Sequence, residues 1–271
     1  MSLHPPAPAV SWVQRVVPRK WAAGWVQFRY VLQGLLGTVR ASGSLVCPDG
    51  ASLGRTGRAW LRYLPSARTT PFTFSYLLLL LGTTLVLRFA DPVLTAKLLQ
   101  LSSTDAHNLS HRPLTSLVSS AIWIEDGGWI VYAAIFALAI APLERRFGPT
   151  RTALVFFSGH VLATLATELP VMALIHSEIL PTSAGRWLDI GVSYGFLTTA
   201  GALAYLARGR ARVLVLVTLE LFVVGVYVAD TPGSLDSVVT ALGHAFAVHF
   251  GLLFWGPRLR IPARPGVPVD S

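Results

Sequence analysis

Six stretches of this chain, roughly 71–88, 128–143, 152–175, 189–207, 213–229 and 237–256, are apolar almost throughout, and most of them approach the ~20 residues that cross a ~30 Å hydrocarbon core. A soluble protein of 271 residues with 53% apolar and 13% charged side chains would have too little polar surface to cover itself. The mean hydropathy of +0.57 agrees. The pattern predicts an all-α polytopic membrane bundle of six transmembrane helices. The second stretch has the shortest uninterrupted apolar part, and Glu125 and Asp126 stand just before it. The alternation of charge along the chain requires it nonetheless.

With a cytoplasmic amino terminus, the inner segments hold nine Lys/Arg in 1–70, then Arg145, Arg146 and Arg151, then Arg208, Arg210 and Arg212, then Arg258, Arg260 and Arg264. That is 18 of the 22 basic residues, leaving Arg88, Lys97, Arg112 and Arg186 outside with eight of the 13 acids. Cytoplasmic loops retain positive charge, so both termini are expected in the cytoplasm of a multi-pass cell-membrane protein. The net charge of +9 follows from the same bias; anionic lipid accounts for it, and no nucleic-acid partner is implied. Trp123, Trp129, Trp187 and Trp255 fall near span ends and read as interfacial anchors.

The spacing divides the chain into a cytoplasmic amino-terminal tail (1–70), a membrane domain (71–256) and a cytoplasmic tail (257–271). The tail begins with Pro5, Pro6 and Pro8 rather than a secretory leader. Within it Trp21, Trp25, Phe28, Leu32, Leu35 and Val39 recur at helical spacing, which predicts an amphipathic helix on the inner leaflet; packing on the bundle or on a partner is the alternative. Cys47 is the only cysteine, which excludes disulfides and cysteine-based metal sites within the chain. No cofactor is implied.

Ionisable groups inside a span face the bundle interior and mark function by default. His160 and Glu168 lie on the third span, Glu220 on the fifth, His244 and His249 on the sixth, and Asp189 at the outer mouth of the fourth. Counting about 1.5 Å per residue from the inner ends puts Ser193 and His244 level, roughly 20 Å up. The same count groups His160, Glu220 and His249 roughly 12–14 Å up, where mutual satisfaction is expected rather than a metal site. Ser193 falls in the first turns of its span, near exposed amides and the positive end of the helix dipole, which suit an oxyanion. His244 at matching depth is a candidate general base for it. Gly243, Ala247 and Gly251 form a small-residue stripe beside His244 that permits close helix approach.

Three motifs in this order resemble those of the rhomboid intramembrane serine proteases, in a divergent, actinobacterial-type form. P-L-E-R-R-F-G at 142–148 is similar to the E-R-x-x-G that follows the second core span of rhomboids. G-V-S-Y at 191–194 is similar to their G-x-S-G, and G-H-x2-A-x3-G from Gly243 to Gly251 is similar to the motif that holds their base. The resemblance implies that Ser193 is the nucleophile and His244 the general base of a dyad without an acidic third member. The chain also departs from the pattern. The positions that carry H-x4-H-x3-N in rhomboid proteases fall near Trp123, Gly128 and Tyr132, the Trp-Arg pair of the first outer loop is missing, and Tyr194 replaces the glycine after the nucleophile. Near-site residues are therefore Gly191 and Tyr194, with the Ser193 amide, the Tyr132 hydroxyl and the Trp129 indole as substitute oxyanion donors.

The resemblance implies a serine endopeptidase that cuts transmembrane segments of other membrane proteins near the outer face. The alternative is a pseudoprotease that binds client transmembrane helices without cutting them. A small ion pathway through the His160, Glu220 and His249 layer is a third reading, which ion flux dependent on His249 and not on Ser193 would favour.

Overall fold

The computed structural model describes residues 64–124 and 128–260. The tail helix expected within 1–63, Cys47, the acidic pair Glu125 and Asp126, and residues 261–271 lie outside the described residues.

Backbone polar groups in lipid must be satisfied within the chain, and helices do this locally; no strand occurs among the described residues. Helix α1 spans Pro71–Phe89, followed by three short helices, α2 (Pro92–Ser102), α3 (Ala106–His111) and α4 (Pro113–Ser120). Then come α5 (Trp129–Ala139), α6 (Ala141–Phe147), α7 (Pro149–His176), a 3₁₀ turn (Thr182–Gly185), α8 (Ser193–Leu206) and α9 (Gly209–Ala229). The last segment runs through α10 (Leu235–Phe250), a π turn (Gly251–Trp255) and α11 (Gly256–Arg260).

Four segments are long and apolar enough to cross a membrane: α1, α7, α9 and the continuous run Leu235–Arg260. The other two expected spans differ. The second is broken into α5 and α6, because Pro142 cannot donate into the preceding turn. The fourth is α8, 14 residues long. At about 1.5 Å per residue it covers roughly 21 Å, so residues 189–192, expected as its first turn, form part of the incoming loop.

α8 is the central element, with ten of its fourteen residues buried between α7, α10 and α9. α9, by contrast, buries only Val223 and Gly225 and turns its apolar surface outward. In lipid, helices associate through close packing rather than water exclusion, and small residues permit it. A Cβ on Gly251 would lie 1.9 Å from the Thr198 carbonyl oxygen, and one on Gly201 2.1 Å from that of Val248. The Thr198 hydroxyl donates to the Ala247 carbonyl at 3.0 Å across the same contact. On the other side a Cβ on Gly159 would meet the Thr198 side chain, and one on Gly195 the Phe156 ring.

Glu144, in P-L-E-R-R-F-G, is 2% exposed and reaches the amino-terminal turn of α1. Its carboxylate accepts from the Phe72 amide at 2.7 Å, the Thr73 amide at 2.8 Å and the Thr73 hydroxyl at 2.6 Å. It thus satisfies amides that a helix leaves unpaired and places negative charge at the positive end of the dipole. Gly148 ends α6 at φ 82°, a conformation that favours glycine, and redirects the chain into α7. Glu and Gly of the motif therefore both serve the fold.

Three of the tryptophans near span ends engage their indole N–H within the protein. Trp123, Trp129 and Trp255 donate their indole N–H inward, to Ser102 Oγ at 2.8 Å, the Leu77 carbonyl at 2.9 Å and Ser158 Oγ at 2.9 Å.

Candidate functional site

Ser193 is the first residue of α8, and the first i→i−4 bond of the helix runs from the Phe196 amide to the Val192 carbonyl at 3.1 Å. The amides of Ser193, Tyr194 and Gly195 thus precede the helical ladder and point from the positive end of the dipole. Gly191 adopts φ 125°, and its N–H donates to the Ser120 carbonyl at the end of α4 at 2.9 Å. That bond fixes the turn into the helix and removes the Gly191 amide from the oxyanion donors. Trp129, with its indole bonded to Leu77, is removed likewise. Tyr132 packs its ring edge-on to Phe196, with centroids 6.4 Å apart.

His244 lies on α10, 4% exposed. Its ring meets Tyr194 edge-on, with centroids 5.3 Å apart and planes at 75°, and tilts against Phe222 of α9 at 6.2 Å. The Tyr194 ring in turn fills the space that a side chain on Gly243 would take, its Cζ and hydroxyl each 2.4 Å from a Cβ built there. Packing of α8 on α10 brings the start of α8 to His244. It does not join the pair by a hydrogen bond, as the matched depth predicted: both buried ring nitrogens of His244 lack a partner. The two aromatic rings hold the imidazole by contact instead.

The layer expected to unite His160, Glu220 and His249 is divided. His160 is 2% exposed, and its Nε2 lies 3.1 Å from Ser120 Oγ and 3.1 Å from the Leu117 carbonyl, both on α4. Glu220 and His249 pair at 3.7 Å on the outward face, with side chains 45% and 52% exposed. His249 Nδ1 also donates to the Ala245 carbonyl at 2.8 Å. The three groups cannot line one pathway. Among the described residues no three His, Cys, Asp or Glu side chains are placed to enclose a metal ion.

A polar clamp absent from the sequence reading holds the loop that enters α8. Ser103 Oγ donates to the Trp187 carbonyl at 2.9 Å and accepts from the Asp189 amide at 3.0 Å. The Thr104 amide donates to the Asp189 carbonyl at 2.8 Å, and its hydroxyl to Asp189 Oδ2 at 2.9 Å. Beside it Asp105 caps α3, accepting from the Asn108 amide at 2.8 Å. Burial pushes the Asp105 carboxyl above its ordinary range, against the Asn108 and Ser103 hydrogen bonds and the charge of His107. Glu168 on α7 is fully buried, within electrostatic reach of Asp189 and Asp105 and beside the Trp187 side chain. The run S-S-T-D at 102–105 carries the signal of a helix cap, but nothing local shows that it grips residues more than eighty positions away.

No curated protein and no solved structure matches the chain. A family model does. Residues 65–258, which hold nearly all of the helices long and apolar enough to cross a membrane, the serine that opens a buried helix and the histidine packed beside it, match the model described as rhomboid-like protein; the chain belongs to that family, as a multi-pass membrane protein.

Proposed function

We propose that this rhomboid-like protein is an intramembrane serine endopeptidase, with Ser193 as nucleophile and His244 as general base. The observation that carries the reading is the buried imidazole of His244, both nitrogens unpartnered, packed against the residue that follows Ser193. An unpaired buried polar group costs about 1–3 kcal/mol; such strain is retained at sites that use it. Ser193 Oγ would attack the carbonyl carbon of a peptide bond in a client transmembrane segment while His244 takes its proton. The free amides at the start of α8 would hold the oxyanion. His244 then protonates the leaving amine, and water hydrolyses the acyl-enzyme. Catalytic hydrogen bonds often form only once substrate is bound, so the open Ser193–His244 geometry is compatible with this sequence.

A second reading, a pseudoprotease that binds client helices without cutting, is favoured by one observation: the Gly191 amide and Trp129 indole are both engaged elsewhere. Loss of one oxyanion donor costs on the order of 100- to 1000-fold in rate. Fluorophosphonate labelling decides between the two. Wild type is expected to label, Ser193→Ala not at all and His244→Ala weakly. Equal labelling of all three, or of none, would establish the pseudoprotease as the better account.

The 18-to-4 division of basic residues supports a cytoplasmic location for both termini, where the basic inner surface would meet anionic lipid. With Cys47 replaced, single cysteines at Ser183 and Ser234 should react with an impermeant thiol reagent on intact cells, and one at Arg208 should not. The opposite pattern would reverse the topology.

A further inference from the structure

The segment H-N-L-S-H at 107–111 places two histidines four residues apart on α3, a spacing that sets both side chains on one helix face. The rings lie with centroids 4.5 Å apart and planes tilted by 44°. His111 Nδ1 is 2.8 Å from the His107 carbonyl oxygen, which can only accept, so Nδ1 carries the proton. Ser110 Oγ donates to the same carbonyl at 2.8 Å and lies 3.0 Å from His111 Nδ1, consistent with this tautomer. Nε2 of His111 therefore holds the lone pair, and a backbone carbonyl orienting the far nitrogen is the usual support of a metal-binding imidazole. The His107 ring is half-buried, and among the described residues no hydrogen bond engages it. The Asp105 carboxylate at the cap of α3 lies within electrostatic reach of it.

We propose that His107 and His111 form a two-imidazole chelate for a divalent transition-metal ion such as Zn2+, completed by water. Two nitrogens at about 2.0–2.1 Å from one tetrahedral zinc ion stand about 3.3–3.4 Å apart, and rings with centroids 4.5 Å apart on one helix face are close enough to reach that separation by side-chain rotation. Imidazole is a suitable ligand for zinc, copper and nickel, whereas the oxygen-preferring Mg2+ and Ca2+ are not expected to bind. Clamping the ends of α3 together would stiffen a helix of six residues. Because Thr104, just before that helix, binds Asp189 in the loop entering α8, the site is tied to the loop that leads to Ser193.

The test is calorimetric titration of the full chain in detergent with Zn2+, purified without a histidine tag and carrying His4→Ala so that the tail does not compete. One Zn2+ per chain is expected, with affinity reduced tenfold or more by His107→Ala and by His111→Ala and by lowering the pH to 5.5, where imidazoles protonate. His176→Ala, at the end of α7, should bind as the parent does. Melting of each variant without metal should match the parent, which separates loss of a ligand from loss of fold. Absence of saturable binding, or unchanged affinity in both the His107 and His111 variants, overturns the proposal.

Discussion

Alanine at Gly251 is expected to destabilise the protein by about 3 kcal/mol or more. Overpacking typically costs about 1–3 kcal/mol when neighbouring side chains can rotate away. Here the obstruction is backbone: the new Cβ would stand 1.9 Å from the Thr198 carbonyl oxygen and 2.7 Å from its carbon. α8 and α10 would have to separate, breaking the Thr198 to Ala247 bond and loosening Tyr194 from Gly243 and His244. Gly201→Ala, whose Cβ would lie 2.1 Å from the Val248 carbonyl oxygen, should act in the same direction. Gly82→Ala is the control. It sits in α1 with nothing within 4 Å of a Cβ, so replacement should be neutral or stabilising by up to about 1 kcal/mol through helix propensity. Unfolding of detergent-solubilised protein reads all three. A Gly251→Ala variant as stable as Gly82→Ala would show that the close helix contact is not required.

Removal of the Glu144 carboxylate should have an effect of similar size. Glu144→Ala leaves the Phe72 and Thr73 amides and the Thr73 hydroxyl without their acceptor. A buried donor left unsatisfied costs about 1–3 kcal/mol, more where the lost partner is charged, and α1 also loses the charge that complements its dipole. A loss of about 3 kcal/mol or more is expected in the same unfolding measurement. Glu144→Gln, which keeps one oxygen acceptor without the charge, should fall between. Equal stability of the alanine variant and wild type would remove the capping role. This effect is on folding, so the Glu of the E-R-R-x-G segment is required here even if the protein cuts nothing.

The two results mark the line between what was readable in the chain and what was not. Membrane residence, helical class and the serine near the start of its helix were legible because each rests on local composition or spacing. The small-residue stripe Gly243, Ala247 and Gly251 was legible for the same reason: residues four apart share a helix face whatever surrounds them. Glu144 was legible only as part of a motif. Its partners Phe72 and Thr73 are more than seventy residues earlier, and no spacing rule connects them.

Counting residues from the inner boundary assigned each polar group one coordinate, its depth. It was silent on rotation about the helix axis, and there the tertiary structure decided. His244 and His249 are five residues apart, about 140° around α10 at 3.6 residues per turn, so one is buried against Tyr194 while the other faces outward with Glu220. His160, grouped with Glu220 and His249 by depth, belongs to the contact with α4. The sequence by itself determined that this is a helical membrane protein with a serine near the start of one helix and a histidine on another, because lipid imposes length and polarity one segment at a time. Only the tertiary structure decided that Tyr194 packs against the histidine, that the Trp129 and Gly191 donors are already engaged and that Ser103 and Thr104 hold the loop before the serine, because those contacts depend on how the helices turn and pack against one another.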